Sequence, residues 1–435
     1  MRRLTLLVLL GMAACTEEAT APANCPNFCP GGAIDVRDTI FTDVIGRDTA
    51  FNGYLPASQG IAMAAAIIPG TLESRAVFVL NPMFTRLAPT NGDTTTVPLV
   101  PDSSRLRLTV LRHDTLATNL WLKLYAIPRT TDSSASFASL DTYFNSTPVD
   151  SVSISDLLAR PLISDTATIR QWGDTIQTDS AGHVLIQADS GRVWTLFFDF
   201  DTLQAPLTPA DSGQLALGIR VTADSVASLA IGTVESGGGS GNMVWYYHYT
   251  IPDTATATPD SIVNTTSIRA PKFDSFVFDP PTAPLDANLA VGGVPSARSL
   301  LRVAMPAFLH DSFDVVRATV ILVPVAPLVG TSSDSIIILA RPVLTDVGAK
   351  SPLSDATNVF GHVIIHPGVT DTVRIEVTDL VRSWAVDTSQ AAAFFLGQSP
   401  EASSFSEIRF YSSRTPAFRP ALQVTYVKRF PFGTP

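Results

Sequence analysis

Few residues in this chain have the types and spacing that chemistry requires. His362 and His366, in His-Val-Ile-Ile-His, are four apart and would share one face of a helix or a strand, as two imidazole ligands must. The β-branched residues between them favour a strand. A matching segment earlier in the chain has Gln187 where this one has His366, so ordinary strand residues are expected rather than a metal site. Asp199 and Asp201, in Phe-Phe-Asp-Phe-Asp, could do acid–base work or bind calcium, but the setting reads first as a strand end with acids facing water. Ser240 has Gly238 two before it and Asn242 two after, so it makes no nucleophile elbow. No P-loop or dinucleotide fingerprint occurs. The expectation is a protein that is not an enzyme and holds no cofactor, with a structural calcium left open.

Binding without catalysis is the other chemistry these residues offer. Aromatic rings presented to solvent stack on the apolar faces of pyranoses while flanking polar groups take the hydroxyls. Leu120, Leu122 and Leu124 alternate with Trp121, Lys123 and Tyr125, so a strand that buries the leucines carries both rings outward, about 13 Å apart along its length. In Val244-Trp-Tyr-Tyr-His-Tyr-Thr250, Trp245, Tyr247 and Tyr249 match Leu422, Val424 and Tyr426 near the C-terminus and are expected in a core. Tyr246 and His248 then face the other way. Trp121, Lys123, Tyr125, Tyr246 and His248 are therefore the candidate ligand-binding residues.

Strands must position these groups. Of the 39 acidic residues only 7 are Glu, and of the 29 basic residues only 4 are Lys, which removes the usual surface residues of helices. Thirty-two Pro and 26 Gly punctuate segments rich in Val, Ile, Thr and Phe. Period-two alternation recurs at Leu106, Leu108 and Val110 and at Val373, Ile375 and Val377. One short helix is expected after Val377, capped by Thr378 or Asp379, with Leu380 and Trp384 on one face. A net charge of −10 without a basic block excludes a nucleic-acid partner.

Internal matches suggest two copies of one module. Ala159-Arg-Pro-Leu-Ile-Ser-Asp165 reappears as Ala340-Arg-Pro-Val-Leu-Thr-Asp346, and Gly182-His-Val-Leu-Ile186 as Gly361-His-Val-Ile-Ile365. Arg75–Phe84 resembles Arg302–Phe308. Thr250–Pro271 is rich in Thr, Pro, Asp and Ala and reads as a linker. The expected fold is all-β: two tandem jelly-roll-like sandwiches at 36–255 and 272–430, with a linker at 256–271.

Thr372-Val-Arg-Ile-Glu-Val-Thr-Asp-Leu-Val-Arg-Ser-Trp384, Ala393–Gly397, Phe410–Ser413 and Arg419–Tyr426 resemble the C-terminal half of DNRLRE-domain proteins. Val291–Gly293 and Ser296–Arg302 resemble that family's opening strands. The resemblance implies a secreted or surface β-sandwich related to carbohydrate-binding modules, with no catalytic residues.

The N-terminus specifies location. Arg2 and Arg3 precede an apolar run from Leu4 to Ala14, which rises only about 16 Å as a helix and cannot span a bilayer. With Cys15 following, residues 1–14 resemble a bacterial lipoprotein signal, which implies acylation of Cys15 and a polar tether at 15–35. Cys25 and Cys29 could close a small disulfide loop in an oxidising compartment, remain as thiols, or bridge two chains. The expected protein sits at the outer membrane or cell surface, meets the membrane through its lipid alone, and binds a polysaccharide or another surface polymer. The alternative is a structural or adhesive component without a carbohydrate ligand.

Overall fold

The structure, a computed structural model, describes residues 36–429 apart from 89–95, 115, 156–175, 179–183, 190–192, 200–214, 238–240, 252–260 and 356–360. Cys15, Cys25 and Cys29 therefore lie outside the described residues, as do Asp201, Ser240, Ala159–Asp165 and Gly182-His183. The chain is all-β, with strands arranged in several sheets around two main hydrophobic cores.

Two strands come first, β1 (Val36–Phe41) and β2 (Arg47–Phe51), and both pair with strands of the C-terminal part of the chain rather than with those that come next. One core is then built from β3 (Ala62–Ile68), β4 (Leu72–Leu80), β5 (Arg86–Leu87), β6 (Val97–Pro98), β7 (Val100–His113) and β8 (Trp121–Ala126). Helix α1 (Phe137–Phe144) follows, then β9 (Asp150–Ser153), β10 (Ile176–Thr178), β11 (Val184–Asp189) and β12 (Val193–Asp199). The lobe closes with β13 (Ala216–Thr222), β14 (Ala227–Gly232), β15 (Asn242–Ile251), β16 (Ser261–Arg269) and β17 (Pro271–Asp279). All these pairings are antiparallel.

Two long strands make this lobe a sandwich. One edge of β7 takes β12, while the other is shared between β15 and β14. In the same way β4 takes β17 on one edge and shares the other between β3 and β13. Two sheets result, β16-β15-β7-β12-β11-β10 and β17-β4-β13-β8-β9, joined at one side through β14 and β3. The expected inward sets are buried between them: Leu106, Leu108 and Val110; Leu120, Leu122 and Leu124; Trp245, Tyr247 and Tyr249. Within β4, Ala76, Phe78 and Leu80 face this core, whereas Val77 and Val79 face a second, smaller one. A strand that is apolar on both faces needs a cover on both faces.

The other lobe contains β18 (Leu289–Gly292), β19 (Arg298–Arg302), α2 (Ala307–Asp311), β20 (Phe313–Leu322), β21 (Ile336–Pro342), β22 (Gly361–Ile365) and β23 (Val373–Glu376). It ends with α3 (Thr378–Val386), β24 (Ala393–Ser399), β25 (Glu407–Phe410) and β26 (Ala421–Lys428). A sheet β1-β26-β20-β23 and a sheet β2-β19-β24-β21-β22 enclose the core, with β18 pairing β25 beside them. Val373, Ile375, Val377, Leu380 and Trp384 all point into it, and Trp384 stacks on Phe394 at 6.3 Å between centroids. Thr378 begins α3 rather than capping it: its hydroxyl oxygen accepts a bond from the Ala318 N–H at 2.8 Å.

The tandem arrangement expected from the sequence is corrected by the pairing. Residues 36–51 belong with the second lobe, because β1 pairs β26 from Val36–Val427 to Phe41–Leu422 and β2 pairs β19. Residues 271–279 belong with the first, because β17 pairs β4. Residues 261–269 of the expected linker are strand, in register with β15 over nine residue pairs. The Thr, Pro, Asp and Ala content suggests a linker, yet Ile262, Val263 and Ile268 are spaced along this segment and β-branched Thr suits a strand. The first lobe is thus an insertion in the second, and the boundaries 36–255 and 272–430 cut through both.

The lobes also share side chains. Phe405, in the β24–β25 loop, is buried in the first lobe's core, with its ring 6.4 Å from Phe278. Asp334 is buried at the junction, where its carboxylate accepts from Ser228 Oγ at 2.8 Å and from the Thr331 N–H at 2.8 Å.

Candidate functional site

The strip on β8 is not the open platform its alternation suggested. Leu120, Leu122 and Leu124 are buried as expected and Trp121 is half-exposed, its Nε1 donating to Asn119 Oδ1 at 2.8 Å. Tyr125, however, is only 5% exposed, because α1 lies over it. The row Val77–Gly218–Tyr125 crosses three strands, and the Phe144 ring fills the gap that Gly218 leaves. A Cβ at Gly218 would stand 2.3 Å from Phe144 Cζ. Arg75, 2% exposed, holds the helix from below. Its Nη1 donates to Asp141 Oδ1 at 2.9 Å, its Nε to Glu73 Oε1 at 2.7 Å, and its guanidinium lies 3.9 Å from the Phe137 ring centroid. Lys123 is half-buried at the edge of this cover.

Tyr246 and His248 do share the outer face of β15. Tyr246 is 36% exposed, and His248 Nδ1 lies 2.6 Å from Asp102 Oδ1 on β7. They belong to the other sheet of the lobe from Trp121 and Tyr125, so the five candidates do not converge. His362 on β22 and His366 just after it are both exposed, and His366 Nδ1 bonds Ser335 Oγ at 2.7 Å. Among the described residues no group of three or more His, Cys, Asp or Glu is placed to hold a metal, and no helix is long and apolar enough to cross a membrane.

A different place offers a depression of ≈160 Å³, on the outer face of the β2-β19-β24-β21-β22 sheet. Its floor is Gly397 in β24, with Leu339 directly opposite on β21. An interior strand glycine marks close approach by something else. Here Arg298 Cγ and Glu401 Oε1 come within 3.7 and 3.3 Å of where a Cβ would stand. Arg298 and Glu401 form a two-pronged pair, Nε to Oε1 at 2.6 Å and Nη2 to Oε2 at 2.9 Å, leaving Nη1 out of the fork. The guanidinium lies 4.2 Å from the Tyr54 ring centroid. Burial raises the Tyr54 phenol above its ordinary value, with Arg298 working against the shift.

Across the floor stands Arg341, whose Nη2 donates to Asp355 Oδ1 at 2.9 Å and to the Ser354 carbonyl at 3.2 Å. Leu339, Leu353 and Phe395 supply the apolar wall, and Ser399 closes one end. The result is a small amphipathic hollow between two guanidinium groups, each already oriented by a carboxylate. Such groups are donors held in place, suited to hydroxyl or carboxylate oxygens. Sequence reasoning missed this site because Arg298 and Arg341 each look like an ordinary outward strand residue. The one available signal was Gly397 inside a strand, directly after the apolar run Ala393–Leu396.

No protein-family profile matches the chain, and no curated protein matches it.

Proposed function

We propose that the protein is a non-catalytic surface lipoprotein that binds a polysaccharide or related extracellular polymer through the second lobe, in the manner of the carbohydrate-binding sandwiches that the DNRLRE-type segments resemble. The observation that carries this reading is the depression over Gly397. A volume of ≈160 Å³ is below the range of drug-sized pockets and suits one sugar ring rather than an extended ligand. Apolar walls for the ring's faces and oriented guanidinium donors for its oxygens are what sugar recognition requires. Acylation at Cys15 would hold the lobes at the membrane surface, where a weak single-ring site gains by repetition along a polymer.

Affinity electrophoresis on neutral and acidic glycans tests it. Wild type is expected to be retarded on at least one of them. Arg341→Ala should reduce retention about tenfold, as expected for a hydrogen bond to a charged group, and Gly397→Val should abolish it by filling the floor. Retention on none of the glycans, or retention unchanged in Gly397→Val, would leave the structural or adhesive reading in its place.

A further inference from the structure

Edge strands are liabilities that folded proteins blunt with shortness, charge or proline. Most edges of this molecule follow that rule. Strands β9, β10, β22 and β23 run only 4, 3, 5 and 4 residues. Strand β1 carries Arg37 and Asp38, and β2 carries Arg47 and Asp48. Strand β17 is nine residues long but contains Pro271, Lys272, Asp274 and Asp279.

Strand β16 breaks the rule. It is also nine residues, Ser-Ile-Val-Asn-Thr-Thr-Ser-Ile-Arg, and its single charge is at the last position. Among the described residues it pairs with β15 alone. Ile262 is 69% exposed and Ile268 64%, both on the outward face with Asn264 and Thr266 between them. Among the described residues the strand therefore presents an unpaired hydrogen-bonding edge and two exposed aliphatic side chains.

The spacing identifies what covers it. The outward-facing residues are placed symmetrically about Thr265: Ile262 and Ile268 stand three residues to either side, and the polar Asn264 and Thr266 one to either side. An antiparallel copy of the same strand, related by a two-fold axis through Thr265, sets Ile262 of each chain opposite Ile268 of the other and Asn264 opposite Thr266. Such an interface is self-complementary, as a two-fold contact must be, and both exposed isoleucines find apolar partners twice over. An unrelated strand would have no reason to match this symmetry. We propose that β16 is a homodimerisation edge, joining two copies of this chain into one continuous sheet across the two-fold axis.

The test uses the full chain with Cys15, Cys25 and Cys29 replaced by Ser, so that any introduced cysteine is the sole thiol. Sedimentation at tens of micromolar is expected to give twice the monomer mass. Thr265→Cys should form a disulfide dimer on mild oxidation, because directly opposed residues lie about 4.5–5.5 Å apart at Cα, within disulfide reach. Ile262→Cys should form none alone, its counterpart being about 20 Å away along the strands, but should cross-link when mixed with Ile268→Cys. The double variant Ile262→Lys, Ile268→Lys should sediment as a monomer with an unchanged circular-dichroism spectrum, since both side chains are exposed in the single chain. A monomeric cysteine-free parent, a Thr265→Cys protein that does not cross-link, or a dimer indifferent to the two lysines would each overturn the proposal.

Discussion

Gly218 in β13 and Gly397 in β24 each stand inside a strand, on the outer face of a sheet, with larger residues on both sides. In the first lobe the gap is filled: Phe144 of α1 sits over Gly218, and Arg75 beneath the helix is buried with its charge paired to Glu73 and Asp141. In the second lobe the nearest described atoms over Gly397 belong to Glu401 and Arg298 rather than to a helix. Arg298 and Glu401 flank it, 22% and 16% exposed, and the hollow between them and Arg341 remains open. The same device, a missing side chain in a sheet, serves as a socket in one lobe and as a vacant hollow in the other. Alternation identifies the side that faces the main core. It does not reveal whether the far side meets water.

The largest expected effect concerns the separateness of the two lobes. A fragment spanning 272–430 lacks β1 and β2, and with them Val44 and Ile45 from its core and Asp48, whose carboxylate accepts from the Ser413 N–H at 2.6 Å. It should be unfolded by circular dichroism. Replacing 56–279 with a Gly/Ser linker of about eight residues, spanning about 15 Å, should instead leave a folded second lobe. Leu55 and Thr282 are both tied to the same turn, through the Ser296 N–H to the Leu55 carbonyl at 2.8 Å and Thr282 Oγ1 to the Val294 carbonyl at 3.1 Å. A folded 272–430 fragment would refute the insertion.

Next in size is the contrast between the two arginines. Arg75→Ala removes a buried guanidinium together with its packing on Phe137 and Phe144 and its bonds to Glu73 and Asp141, so a loss of about 2–3 kcal/mol is expected. Arg298→Ala, whose pair borders the open hollow, should cost less, about 1–2 kcal/mol. Tyr125→Ala belongs with Arg75, as truncation of a buried ring costs about 3–5 kcal/mol. Urea denaturation of the three variants measures the difference. Equal losses at Arg75 and Arg298 would mean that the second hollow is as closed as the first.

How much of this was legible beforehand varies with the range of the interaction. The inward sets at Leu106–Val110, Trp245–Tyr249 and Val373–Val377 follow from period two, and Leu380 with Trp384 from the helical period, because each depends only on neighbours. Pairing of β1 with β26 joins residues nearly four hundred positions apart, and no local pattern encodes it. The cover over Tyr125 did leave a trace. Ala76-Val-Phe-Val-Leu80 has no polar alternation, the mark of a strand buried on both faces, and β13 joins that strand to β8. The hollow left almost none, since Arg298 and Arg341 meet only because β24 separates β19 from β21.

Buried acids separate the lobes in a further, smaller way. In the second lobe burial raises Glu407, but Arg409 beside it counters the shift. In the first lobe Asp274 is raised to about 6, chiefly by burial, with only the Val234 N–H favouring its charge and Glu235 opposing it. A folded state that holds its proton more tightly than the unfolded chain is favoured at low pH, and that advantage disappears as pH rises through about 6. Asp274→Asn keeps an acceptor for Val234 and should stabilise the protein by about 1–3 kcal/mol above pH 7, with little effect near pH 4. Melting temperatures across that range that rise in parallel for both proteins would exclude Asp274 as the source.

The smallest effect expected is at Trp121, and it separates two rings on one face of one strand. Tyr125 lies under α1, whereas Trp121 is half-exposed, with its indole N–H bonded to the neighbouring Asn119. Trp121→Ala should therefore cost about 1 kcal/mol or less, in the range of substitutions away from cores and caps. It should also leave glycan retention unchanged, because the hollow is in the other lobe. If Trp121→Ala instead reduced retention while Arg341→Ala did not, the binding face would be on β8 after all, and the filled socket over Gly218 would have to be the one that opens.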